Sequence, residues 1–242
     1  MIYKKLGILG GMGPLATHYL YKSIIDSTPA EKDQEHIDMV LLNAANIPDR
    51  TASILGSGES PLPYLISGCK TLEKAGCDVI AIACNTSHYF YDDIQKACSV
   101  KIINMVDTVA ERLSGQKVKT VYIMATSGTI KSGIYERNIN ARNITVLPVS
   151  DHDISIVMKV IYDLKAGISP DLTEIIKLAN KVYLQGCTKI ILACTELSLI
   201  KEDMENLLKL EHTDRELDGL FVDSTDVLKD KILEIFNVQK RV

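Results

Sequence analysis

The sequence predicts an α/β protein of two pseudo-symmetric halves, each a roughly four-stranded parallel sheet flanked by helices, with a shared cleft between them. Three observations carry that expectation. Short, unbroken runs of Ile, Val, Leu and Ala alternate with longer stretches of helical periodicity, as buried parallel strands and their crossover helices do. Residues 76–84, GCDVIAIAC, return 110 residues later as GCTKIILAC at 186–194, with Gly76/Gly186, Cys77/Cys187, Ile80/Ile190, Ala83/Ala193 and Cys84/Cys194 identical. A weaker echo pairs KKLGILGGMGP at 4–14 with KTVYIMATSGT at 119–129, placing Gly13 opposite Gly128. Two matches in the same order point to a duplicated architecture.

In chain order, a strand at 6–9 breaks into the glycines of GGMGP, and Pro14 sits in the first turn of a helix over 14–27. A strand at 39–44 and a helix at 60–75 lead to a strand at 79–83, which ends at Cys84. Polar Asn85, Thr86 and Ser87 then open a helix over 87–98. Strands at 101–105 and 121–125 bracket a helix at 107–114, and SGQKVK at 114–119 is the most linker-like stretch in mid-chain. A strand at 144–149, helices at 151–166 and 170–185, and strands at 189–193 and 220–223 complete the second half. Strand–helix alternation of this kind implies right-handed crossovers and a parallel sheet.

Composition narrows the function. With 27 Lys+Arg against 31 Asp+Glu the net charge is −4, and no dense basic stretch offers a nucleic acid or an anionic membrane a binding face. At 46% hydrophobic and 24% charged the chain is neither disordered nor fibrous. Its apolar runs fall well short of the ~18–20 residues of a membrane span. The N-terminal run breaks into glycines and not into a cleavable small-residue site, so no signal peptide is expected. Six cysteines without a CxxC pair are expected as reduced thiols in a cytoplasm.

Two of those cysteines stand apart. Ligands of βαβ proteins bind beyond the carboxyl ends of the strands, and Cys84 and Cys194 fall at two such ends in matching contexts. Each is followed by polar helix-opening residues, Asn85-Thr86-Ser87 and Thr195-Glu196, whose dipole is expected to lower the thiol pKa. Thiols from two related halves facing one cleft suit the inversion of a carbon centre: one removes a proton from one face while the other delivers a proton to the opposite face. Cys69, Cys77, Cys98 and Cys187 read as core filler, as do most buried cysteines. The GGMGP turn lacks the GxGxxG spacing of a nucleotide cradle and reads better as a small-residue floor with Met12 near the ligand.

Four motifs together, GGMGPLAT at 10–17, NIPDRT at 46–51, ACNTSH at 83–88 and ACTEL at 193–197, resemble the aspartate racemases of the Asp/Glu/hydantoin racemase superfamily. The resemblance runs over nearly the whole chain. It implies an active site between the two domains, a homodimer, catalysis without pyridoxal phosphate or metal, and Cys84 and Cys194 as the acid–base pair. Glutamate racemases carry His after the second CT, where this sequence has Glu196, so the resemblance favours aspartate. The α-carboxylate of an amino dicarboxylate would lie on backbone N–H groups and hydroxyls of Asn85, Thr86, Ser87, Thr195 and Thr126, which also stabilise charge as the Cα proton leaves. For the second carboxylate the resemblance points to Arg50 and Lys165. Glu196 would orient the ammonium or a thiol, or would merely be a first-turn acid; His18 and His88 read as structural. Relatives return the C-terminal segment to the first domain, giving 1–98 plus 208–242 and 99–207, whereas the residues alone suggest a cut near 114–119. A glutamate or broad-specificity racemase, a related dicarboxylate isomerase and a non-catalytic amino-acid-binding protein are the alternatives; a thiol redox role lacks its CxxC.

Overall fold

The computed structural model describes residues 5–211, 217 and 219–238. Two four-stranded sheets form, all parallel, with the same strand order. In the first, β2 (Asp38–Asn43), β1 (Lys5–Gly10), β3 (Val79–Ile82) and β4 (Lys101–Ile103) lie side by side. In the second the order is β6 (Thr145–Val146), β5 (Thr120–Ala125), β7 (Lys189–Ala193) and β8 (Phe221–Asp223). The duplicated segments are therefore the paired central strands of each sheet, β1/β3 and β5/β7. Among the described residues no helix is long and apolar enough to cross a membrane.

Strand alternation sorts the core into four layers. Leu6, Ile8, Val79 and Ala81 pack on α1 (Pro14–Ser27), while Leu9, Ile80 and Ile82 face α3 (Leu62–Lys74) and α4 (Tyr91–Ala97). In the second sheet Tyr122, Met124, Ile190 and Leu192 meet α8 (Asp151–Lys165), α9 (Thr173–Leu184) and α10 (Lys201–Glu211). Val121, Ile123 and Ile191 meet α7 (Ile134–Asn140) on the other face. Cys69, Cys77, Cys98 and Cys187 are buried in these layers, as filler should be.

Two helices are exchanged between the halves. The helix α5 (Met105–Gly115) follows β4 of the first sheet yet buries Val106, Val109, Ala110 and Leu113 against the second. The helix α11 (Ser224–Ile235) follows β8 of the second sheet and buries Leu228, Ile232 and Leu233 against the first. Both also pack on each other. The division at 98/99 and 207/208 is corrected accordingly. It would cut β4 from β3 and β8 from β7, whereas backbone pairing keeps residues up to Ile103 in the first sheet and up to Asp223 in the second. Only α11 returns, because its apolar face has the first sheet as its partner.

Local chemistry shortens three expected elements. The strand expected to 105 ends at Ile103, since Asn104 leaves the sheet to cap α5, accepting from Asp107 N at 3.0 Å. The strand expected over 144–149 is only Thr145–Val146, with Pro148 unable to continue the ladder. The helix expected over 87–98 begins as a 3₁₀ turn, Thr86–Phe90, before α4.

Candidate active site

Both cysteines lie where the central strands end. Cys84 follows β3 and Cys194 follows β7, each 5% exposed, and the two line one cavity between the halves. Met12, Arg50, Asn85 and Thr86 line it from the first half, and Thr126, Lys165, Thr195 and Glu196 from the second. Asp49 and Thr51 complete the lining; both belong to the NIPDRT motif, from which the sequence reading takes only Arg50 as a site residue. Ser87 is not brought to the cleft: it is fully buried and its hydroxyl donates to the Met12 sulfur at 3.4 Å. The cavity measures about 10 Å³, room for one water at most.

Arg50 opens the short helix α2 (Arg50–Ile54), which Asp49 caps by accepting from Ala52 N at 2.7 Å. The residue is 8% exposed, and its guanidinium donates to the carbonyls of Ile47 at 3.1 Å, Pro48 at 3.0 Å and Met12 at 3.5 Å. Among the described residues no carboxylate lies within 4.0 Å of it, so a buried cation stands in the cleft without a counter-ion. Lys165, the last residue of α8, brings a second cation, 3.9 Å from Glu196 Oε1. Burial works to lower the Lys165 pKa, but the negative charge facing it, that of Glu196 above all, outweighs burial and the net shift is upward. Lys165 therefore remains charged.

Cys194 corrects the expectation of a dipole-lowered thiol. The chain beyond Glu196 forms a 3₁₀ turn, Leu197–Ile200, and not an α-helix. Burial first, and then the Glu196 carboxylate, push this thiol well above its ordinary value. Accordingly Sγ–H donates to Glu196 Oε2 at 3.0 Å. The other oxygen, Oε1, is buried without a hydrogen-bond partner and faces Lys165.

Hydroxyls and amides bridge the halves around the cysteines. Thr86 Oγ1 lies 3.0 Å from Thr126 Oγ1 and 2.9 Å from Thr129 Oγ1, closing a triangle with the 3.0 Å Thr126–Thr129 contact. Asn85 donates through Nδ2 to Ser224 Oγ at 2.9 Å and accepts from the Tyr135 hydroxyl. Its side chain thus braces the Cys84 turn, leaving backbone N–H groups for a ligand. Thr129, Tyr135 and Ser224 carry no motif of their own; only the pairing of the halves shows their use. His88 is structural as expected: Nδ1 bonds the Cys84 carbonyl at 2.9 Å and Nε2 accepts from Met105 N at 3.1 Å. Burial lowers its pKa, which keeps it neutral. His18 is exposed on α1, outside the cleft. In the GGMGP turn Gly11 has φ 91°, and its N–H is already bonded to Thr17 Oγ1 at 2.9 Å, so that donor is not offered to a phosphate.

The chain matches the Asp/Glu/hydantoin racemase family over residues 9–227. It belongs to that family. The family's fold is matched by the solved structure of Picrophilus torridus aspartate racemase, 30% identical, with a TM-score of 0.77 over 99% of this chain and 96% of that one. The broad specificity amino-acid racemase RacX of Bacillus subtilis is 27% identical over 208 residues, 83% of this chain and 89% of its own. Glutamate racemase of Hydrogenobaculum sp. is 28% identical over 187 residues, covering 73% and 67%. Membership makes this protein an isomerase of the racemase type, and the relatives differ among themselves in the amino acid they are named for.

Proposed function

We propose that the protein interconverts L- and D-aspartate by a two-thiol mechanism that uses no bound cofactor. The observation that carries this reading is the pair of thiols from pseudo-equivalent strand ends lining one cleft with two cations. In one direction the Cys84 thiolate takes the Cα proton, the Cα–H bond breaking as its S–H bond forms. The Cys194 S–H delivers its proton to the opposite face, and the roles reverse for the other enantiomer. Glu196, already hydrogen-bonded to Cys194 Sγ, holds that thiol toward the cleft. Arg50 and Lys165 select the side-chain carboxylate, and an Arg without a counter-ion is ready to bind one bidentately. Backbone donors and hydroxyls at 85–86, 126 and 195 hold the α-carboxylate and stabilise charge that builds on it. Glu196 in place of the His of glutamate racemases, and the likeness to an aspartate racemase, support aspartate over glutamate. A broader substrate range is the second reading, favoured by the likeness to a broad-specificity enzyme over most of both chains. The same reading makes the protein a cytoplasmic homodimer.

The test is exchange and interconversion in D₂O from each pure enantiomer, with Cys84→Ser and Cys194→Ser beside the unaltered protein. Each variant should lose interconversion by at least ~10²–10⁴-fold, the scale of a positioned proton-transfer group. Full activity in both would end the two-thiol mechanism, and a panel of amino acids read by chiral chromatography separates aspartate from a broader range.

A further inference from the structure

The two glycines that the duplication aligns, Gly13 and Gly128, meet the opposite half in reciprocal fashion. A Cβ on Gly13, in the first half, would lie 3.1 Å from Glu196 Oε1 in the second. A Cβ on Gly128, in the second half, would lie 2.8 Å from both Cα and Oγ1 of Thr51 in the first, and 3.1 Å from its Cβ. The two contacts differ in kind. Against Gly13 stands the far end of a flexible side chain, whereas against Gly128 stand the backbone Cα of Thr51 and the base of its side chain.

Neither glycine has a positive φ. Gly13 is extended, at φ −107° and ψ 169°, and Gly128 occupies the first turn of α6 (Ser127–Ser132), where alanine is the better helix former. Space for the other half is what remains to account for the missing side chain at 128. The element it admits is α2, which packs on α6 and begins with Arg50, so any shift forced on Thr51 moves the adjoining guanidinium.

We infer that Gly128 is a specificity-determining position: by seating Thr51 against α6 it holds Arg50 in the closed cleft, where Arg50 reads the substrate's second carboxylate. The inference rests on the racemase reading for its substrate, but the seating itself can be measured without turnover. Gly13 is the counterpart that admits Glu196.

The experiment compares the unaltered protein with Gly128→Ala and with Gly128→Ala/Thr51→Gly, in which two of the three crowded atoms are gone. In Gly128→Ala the KM for aspartate should rise on the order of tenfold or more while kcat falls less, because a displaced positioning group weakens binding of the carboxylate it addresses. Arg50, protected in the unaltered protein, should become reactive to phenylglyoxal by peptide mass mapping, with no loss of melting temperature. The double variant should recover only part of the way in both readouts, because Oγ1 and Cβ of residue 51 are gone while its Cα still lies 2.8 Å from the added Cβ. Unchanged KM and unchanged Arg50 protection in Gly128→Ala would overturn the inference. So would loss of folding in both variants, since a contact at the cleft mouth governs closure and not the core. If the unaltered protein turns over no amino acid while Arg50 protection responds as stated, the seating stands and the racemase reading fails.

Discussion

Glu196 concentrates the electrostatics of the cleft in one residue. Its Oε2 accepts from Cys194 Sγ, and its Oε1 faces Lys165 at 3.9 Å and the space beside Gly13. Its charge and its hydrogen bond both raise the Cys194 pKa, adding to burial, which is the larger cause. Removing the charge in Glu196→Gln should therefore move the thiol pKa downward. The check is alkylation of Cys194 by iodoacetamide as a function of pH, read by mass spectrometry. The midpoint should shift to lower pH in the variant, and a midpoint that stays or rises would contradict the coupling. The residue types are readable from the motifs, both cysteines and Arg50 included, while Lys165 comes from the family resemblance alone. The direction of the Cys194 shift is not, because it depends on desolvation and on a carboxylate whose rotamer only packing sets.

At the scale of elements, the caps connect the cysteine turns to the helices behind them. Asp223 caps α11, its Oδ1 accepting from Thr225 N and from Ser198 Oγ, both at 2.8 Å. Ser198 belongs to the turn after Cys194, and the neighbouring Ser224 accepts from Asn85 beside Cys84. Burial, and then the nearby Asp226, push the Asp223 carboxyl up from 3.8 to about 6, although Lys201 and two hydrogen bonds pull the other way. With its folded pKa raised, the native state binds more protons than the unfolded chain between these values, so this group's contribution to stability falls as pH rises through that window. Asp223→Asn keeps an oxygen for the cap and removes the charge. It should gain stability relative to the unaltered protein at about pH 7 and lose that advantage near about pH 4, measured by urea unfolding at both. An advantage independent of pH would show that the carboxylate is not the cause. Such caps are partly legible in the sequence: Asn104 and Asp223 are cap types at strand ends, but their registers depend on which strand pairs with which.

Across the whole molecule the closed cleft poses the main functional constraint. A cavity of about 10 Å³ is too small for an amino acid, so the cleft must widen to load one and close again around it. Near the site the halves are joined by the packing of α2 on α6 and by polar links, the Thr86–Thr126–Thr129 triangle and the Asn85–Ser224 and Asn85–Tyr135 bonds. Deeper down, the exchanged helices α5 and α11 pack on each other and form the apolar joint. Aspartate should accordingly slow amide hydrogen exchange in α2, in the turn Thr86–Phe90 and in α6, while leaving β1 and β5 unchanged. Protection spread evenly over both cores would point to general stabilisation and not to closure.

The two-sheet α/β class, the duplication and the candidate chemistry are written in the linear chain. Strand periodicity, strand-end placement and motif spacing are local properties that need no knowledge of what packs where. Long-range packing set the rest: the exchange of α5 and α11, the withdrawal of Ser87 beneath Met12, the addition of Asp49 and Thr51 to the cleft, and the protonated state of Cys194. Each of these arises from contacts between residues far apart in the chain, where burial and apolar surface, and not local preference, select the partner.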